Sequence, residues 1–215
     1  MFKNHLKIAW RSIKKDKFFT IIKVGGFAVG IASCLLIGLF IKNEFSYDRH
    51  YKNADRIYRV VMQGTMDGEV LKSVHFQRLF AETLEATYPE IKKAGKINTS
   101  ELFGAGRRAI RAEGTTQNSL EEGFIFADQR AFEILEYDLI EGNPNEVLTN
   151  PGSIVIKESK AKKYFPDGNA LGSTIYLDDN SEKPYTITGI IKDDKYLKSH
   201  LNFDFLLAIE DKNTS

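Results

Sequence analysis

Val24–Ile41 reads VGGFAVGIASCLLIGLFI, eighteen residues without a charge. As a helix rising about 1.5 Å per residue it would extend about 27 Å, close to the roughly 30 Å hydrocarbon core of a bilayer. FFTII, Phe18–Ile22, lengthens the run past Lys23, whose flexible stem can carry its ammonium to the headgroups. Gly25, Gly26, Gly30 and Gly38 would weaken a soluble helix but are common in membrane helices. Gly26 and Gly30, and more loosely Gly30 and Cys34, form small-xxx-small pairs and are candidate packing positions for a neighbouring helix. A buried soluble helix would not carry so long an uncharged run flanked by cations. A cleaved signal peptide has a shorter apolar core, and IKNEFSYD, which follows, offers no small-x-small cleavage site.

Charge sets the expected orientation. Lys3, Lys7, Arg11, Lys14, Lys15 and Lys17 precede the span against Asp16 alone, whereas Lys42, Glu44, Asp48, Arg49, Lys52 and Asp55 after it alternate in sign. The positive-inside rule puts the N-terminus in the cytoplasm and everything beyond about residue 43 outside. Phe2, Leu6, Ala9, Trp10 and Ile13 recur at spacings of three and four among lysines and Arg11. That pattern predicts a cationic amphipathic helix on the cytoplasmic face, an anchor first and a docking element second. The expected organisation is a basic helix over 1–17, a transmembrane helix over 18–42 and an extracytoplasmic domain over 43–215.

The 215-residue chain is 42% apolar and 27% charged, as folded proteins are, and carries a net charge of +1. That balance gives no electrostatic case for nucleic-acid binding. One cysteine, Cys34, excludes an intramolecular disulfide and a cysteine zinc cluster.

Beyond a linker over 43–56, strands are predicted at Ile57–Gly64 (IYRVVMQG) and in EVLKSV after a turn at Met66–Gly68. Phe76, Leu79, Phe80 and Leu84 predict a helix over His75–Thr87, ended by Tyr88-Pro89. Strands are expected at Lys92–Asn98, Arg107–Ala112 and Gly123–Ala127, with a loop over Asn98–Gly106. Asp128 reads as the N-cap of a short helix through Leu135, and LIEGNPNEVLTNPGS, Leu139–Ser153, reads as successive turns. A strand at Ser153–Ile156 leads into a helix from Lys157 or Glu158 to Tyr164. A hairpin pairs Ser173–Leu177 with Tyr185–Ile191 across DDNSEK, and Leu201–Ile209 is a final apolar segment. Strands interleaved with short helices argue an α+β fold: a membrane helix, then a mixed α/β domain in two lobes.

No motif assigns chemistry. There is no P-loop and no G-x-S-x-G, and GAGRR, Gly104–Arg108, lacks dinucleotide-fingerprint spacing. His5, His50, His75 and His200 are not paired at metalloprotease spacing. The acid pairs Glu121/Glu122, Asp178/Asp179 and Asp193/Asp194 would point apart on a strand or sit in turns. Lys160, Lys162 and Lys163, with Arg107 and Arg108, read as a solvated basic face. No catalytic residue, cofactor or metal is expected, and the chain is not read as an enzyme.

Five stretches carry a family resemblance: NHLKIAWRSIKKDKFFTIIKVGGFAVGIA (4–32), FSYDRHYKNADRIYRV (45–60), FADQRAFEILEYDLIEGNPNEVLTNPGSIVIKESKAKKYF (126–165), NALGSTIYLDDNSEKPYTITGIIKD (169–193) and SHLNFDFLLAI (199–209). In this order they resemble the permease subunits of MacB/FtsX-type ABC transporters: a basic helix, the first span and a periplasmic core domain. The resemblance implies a core of one mixed lobe and one β-rich lobe between the first and second spans. It implies a role in export or mechanotransmission in a bacterial inner membrane. The implied partners are a cytoplasmic ABC ATPase, further permease spans or a second permease copy, and a periplasmic protein. Tyr47, Asp48 and Arg49 would then couple span to domain. Gly142, Pro144, Pro151 and Gly152 would shape loops, and Ser199, His200 and Asp204 would anchor the last strand. Pro166-Asp167 after KKYF, and KYLKSH without a proline, depart from the family pattern. Later spans and an ATPase are absent from these 215 residues, so the chain reads as the front of a permease; a single-span scaffold or ligand-binding module is the alternative.

Overall fold

The computed structural model describes residues 2–15, 17–48, 51–66, 68–193 and 199–209. The chain forms two compact units, Met1–Tyr47 and Asp48–Ser215.

The first unit is helical. α1, Phe2–Lys15, ends in Lys14 and Lys15, whose charges oppose the negative end of the helix dipole. α2, Lys17–Glu44, is 28 residues long and has no buried residue. It is long and apolar enough to cross a membrane and outlasts the predicted 18–42 at both ends. Ser46 closes the turn after it by donating from its hydroxyl to the Asn43 carbonyl at 2.6 Å.

The second unit carries two sheets. β1, Met62–Met66, and β2, Glu69–Ser73, form an antiparallel hairpin. The expected strand at Ile57 thus starts five residues late. The returning strand ends at Ser73, opposite Met62, so Val61 and the residues before it have no strand to pair with. Asp67, at the expected turn, lies outside the described residues. α3, Phe80–Thr87, also starts later than predicted, at the second ring of the stacked Phe76–Phe80 pair. It stops where expected, because Tyr88 before Pro89 is extended.

The second sheet has eight strands: β3 (Ile97–Asn98), β4 (Gly106–Ala112), β5 (Ser119–Ala127), β6 (Leu139–Gly142), β7 (Ser153–Lys157), β8 (Thr174–Leu177), β9 (Pro184–Ile191) and β10 (Phe205–Ala208). Of the expected Lys92–Asn98 strand only two residues pair, as β3. β5 begins four residues before its expectation. Leu139–Gly142 is a strand on β9, not a turn.

Six strands close into a ring in the order β4–β5–β10–β7–β9–β8 and back to β4. β5–β10 and β7–β9 run parallel, and the other ring pairs antiparallel. All six strands feed one buried cluster, including Ile110, Phe124, Ile156, Leu177, Ile187 and Phe205. Only the lumen of a closed ring is reached by every strand, so this cluster is the interior. Its centre is the stacked Phe124–Phe205 pair, with centroids 4.2 Å apart. Outside the ring, Ile125, Val155, Leu206 and Ala208 pack under α4, Gln129–Leu135, through Ala131 and Phe132. Asp128 caps α4 as predicted, its side chain accepting from the Ala131 N–H at 2.8 Å. α5, Glu158–Tyr164, follows β7 directly and adds Ala161 to the interior cluster.

Two glycines permit close backbone approach, one within the ring and one where β6 lies on β9. At Gly123 (φ 80°) an added Cβ would lie 2.9 Å from the Asp204 backbone nitrogen, in the approach to β10. At Gly142 (φ 110°) it would lie 2.4 Å from the Thr188 carbonyl oxygen. Gly142→Ala therefore meets backbone rather than a yielding side chain, in a conformation alanine resists. Urea unfolding of the detergent-solubilised chain should show a loss of at least about 2 kcal/mol for Gly142→Ala and a smaller loss for Gly114→Ala, where φ is 80° but nothing lies within 4 Å of a Cβ.

Candidate functional site

The second unit opens on Asp48, a non-glycine residue at φ 55°. Aspartate tolerates this left-handed conformation better than most residues, but holding it requires compensation. The compensation comes from residues about 150 positions away. Ser199 Oγ donates to Asp48 Oδ1 at 2.7 Å, and the His200 N–H reaches the same oxygen at 3.2 Å. His200 Nδ1 lies 2.6 Å from Oδ2. Burial pushes the Asp48 carboxyl up, but the bonds from Ser199 and His200 outweigh it and hold the group below its ordinary value. The ionised carboxylate is therefore the bonded form, with His200 Nδ1–H as donor.

Three residues on, Tyr51 is 9% exposed. Its ring meets Tyr137 edge-on at 6.2 Å, and Tyr137 in turn meets Phe203 at 5.2 Å and Phe132 at 5.7 Å. Ser199's one hydroxyl proton is committed to Asp48, so Tyr51 donates its own to Ser199 Oγ across 3.2 Å. The same oxygen accepts the Leu201 N–H at 3.0 Å. Burial, Tyr51 and Asp48 together push the Tyr137 phenol well above its ordinary value, so it stays neutral. Asn53 donates to Glu136 Oε1 at 3.3 Å, and Lys52 pairs with Oε2 of the same residue at 3.5 Å. Asp48 and residues 51–53 thus form a strap fastened to two places: the lead into β10 at 199–203 and the end of α4 at 136–137.

Of the predicted coupling residues, Asp48 lies in this strap, Tyr47 closes the preceding unit, and Arg49 lies outside the described residues. Ser199 and His200, expected to anchor the last strand, bond Asp48 from the segment that leads into β10. That their partner is Asp48 has no signal in the sequence, because nothing local marks a contact across so long a separation. Gly26, Gly30 and Cys34 share one face of α2, where with Phe27, Ile31 and Leu35 they line a shallow apolar groove. A Cβ added at either glycine would meet nothing within 4 Å.

Each of the five cations of the expected basic face has an acid beside it. Arg107 pairs with Glu122, Arg108 with Asp178, Lys162 with Glu158, and Lys160 and Lys163 with Glu121. Glu121 is 7% exposed. Lys160 bonds it at 2.6 Å and reaches Asp204 at 3.1 Å, while the Tyr164 hydroxyl donates to it at 2.7 Å. Lys157 pairs with Asp204 at 3.1 Å. α5 is thereby tied to β5 and to the residue before β10. GAGRR runs from a single 3₁₀ turn, Glu101–Phe103, into β4, not from a strand into a helix, so it cannot present a phosphate-binding helix terminus. Among the described residues no three His, Cys, Asp or Glu side chains gather as a metal would need.

Burial alone would raise the Glu121 carboxyl. The bonds from Lys160, Lys163 and Tyr164 reverse that and hold it at about 2, against an ordinary 4.5. A depressed carboxylate stabilises the fold fully above its unfolded pKa, and the contribution fades as pH falls between about 4.5 and about 2. Glu121→Gln should remove that part of the acid-induced loss of stability, giving a flatter unfolding midpoint across this range. Separately, Tyr51→Ala should cost about 3 kcal/mol by emptying its aromatic nest, and Tyr51→Phe about 1 kcal/mol, both read by denaturant titration.

The family described as the MacB-like periplasmic core domain matches residues 20–211. Three solved structures are similar. One is a domain assigned to a permease protein of Porphyromonas gingivalis (22% identity, TM-score 0.48, 60% of this chain and 56% of that chain). Another is the periplasmic region of MacB from Actinobacillus actinomycetemcomitans (17%, 0.41, 60% and 52%). A third is the extracellular domain of the noncanonic ABC-type transporter YknZ from Gram-positive bacteria (14%, 0.41, 62% and 62%). The chain therefore spans between about half and three-fifths of the length of the structures it resembles. No curated protein matches it.

Proposed function

This chain belongs to the MacB-like periplasmic core domain family, and from that premise we propose that it is the N-terminal portion of an ABC-transporter permease subunit working in export or mechanotransmission. The match over residues 20–211 carries the reading, because it takes in most of α2 as well as the whole ring. In this reading residues 18–42 cross the bacterial inner membrane, residues 1–17 lie on the cytoplasmic face, and 43–215 stand outside. ATP is hydrolysed by a separate cytoplasmic ABC ATPase, and further permease spans or a second copy complete the membrane part.

Two physical features support this assignment of roles. α2 has no buried residue, and its Gly26–Gly30–Cys34 face is open to close approach by another helix. Interfaces between membrane helices favour such small residues because backbones can come near one another. The strap beginning at Asp48 is covalently continuous with the residues that follow α2, which suits it to pass movement of the span into the ring. The outer domain carries no assigned catalytic role.

Affinity purification of the tagged chain from native membranes in mild detergent should bring down an ABC-type ATPase subunit; its consistent absence would contradict the permease reading. Gly30→Leu should reduce recovery of membrane partners several-fold, while Gly25→Leu, off that face, should not. Unchanged recovery with Gly30→Leu would remove the helix-contact proposal and leave the permease reading standing.

A further inference from the structure

We propose that the Asp48–Ser199–His200 cluster is a latch that makes the strap, Asp48 with residues 51–53, and the lead into β10, residues 199–203, move as one body. Three observations carry this. Asp48 is held in a left-handed conformation that its own backbone does not favour, and its carboxylate spends both oxygens on the 199–200 segment. Ser199 Oγ is the shared node, donating to Asp48 while accepting from Tyr51 and from the Leu201 backbone, so its hydrogen-bonding capacity is used up. Tyr51 then inserts beside Tyr137, which packs on Phe203, two residues before β10.

The mechanical consequence follows from where these contacts land. Short charge-assisted hydrogen bonds yield little before they break, so a displacement applied at residue 48 is delivered to Ser199 and His200. From there the backbone reaches Phe205 within six residues, and Phe205 pairs with both Phe124 of β5 and Ile156 of β7. A load on the strap thus bears on the one strand that closes the ring. A strap without the latch would be a tether, taking up the same displacement by changing its own shape. The biological use of the latch rests on the permease reading; its existence rests on the geometry alone.

Hydrogen exchange measured by mass spectrometry on the full chain in detergent separates the two. Asp48→Asn weakens the latch at the strap end, and Ser199→Ala removes its shared hydroxyl at the other. Either variant should speed exchange about tenfold or more in both segments, 48–56 and 199–203, with 119–127 and 153–157 unchanged as witnesses that the ring is intact. Faster exchange confined to the segment that carries the substitution, or no change in either, would overturn the proposal. If Asp48→Asn fails to fold, shown by loss of protection in 119–127, Ser199→Ala gives the same reading with a smaller change. No ATPase is present in this experiment, so its failure would leave the permease reading untouched, and failure to recover an ATPase would leave the latch standing.

Discussion

Four residues, Phe205–Ala208, hold the second unit together by closing its ring. β10 pairs parallel with β5 on one side and antiparallel with β7 on the other. Both of its faces are buried: Phe205 and Leu207 inside the ring, Leu206 and Ala208 under α4. Each large side chain so buried contributes about 2 kcal/mol, but the larger effect is topological. Without β10, β5 and β7 would each expose an unpaired edge, and the interior cluster would open to water. The contacts that close the ring join residues as far apart as Phe124 and Phe205, so closure must await the end of the domain, a high-contact-order arrangement that folds slowly.

The approach to β10 gathers the domain's other strong interactions. Ser199 and His200 hold Asp48, Phe203 packs on Tyr137, and Asp204 receives Lys157 and Lys160. The charged groups in this region are spent on one another. Glu121 alone satisfies two lysines and a tyrosine, and it is buried where removing one partner would leave an uncompensated charge. Such groups position backbone.

Much of this was legible in the sequence where a local signal existed. The uncharged run at Val24–Ile41 announced α2. Asp128 marked the start of α4 because a cap is a local device, and Pro89 and Pro166 ended helices where they should. The DDNSEK hairpin was visible because polar turn residues separate two apolar strands. Other elements were not. Ile57–Val61 has strand-like residues but no partner strand, because the hairpin ladder ends at Met62 opposite Ser73, and Leu139–Gly142, reading as turn, becomes a strand because β9 offers it an edge. Asp48 could be singled out from its place after the span, and Ser199 and His200 from family resemblance. Their union could not, since only ring closure brings position 199 back to position 48.

The most direct test of the whole account is which side of the membrane each end of the chain occupies. In a Cys34→Ser background, a single cysteine would be placed at Asn4, in α1, or at Ser181, in the exposed β8–β9 turn. Each would then be labelled with a membrane-impermeant maleimide in intact spheroplasts and again after lysis. The account predicts that Ser181→Cys labels before lysis and Asn4→Cys only after it. Labelling of Asn4→Cys in intact spheroplasts with Ser181→Cys protected, or protection of both until lysis, would contradict an outer domain held across the membrane by α2.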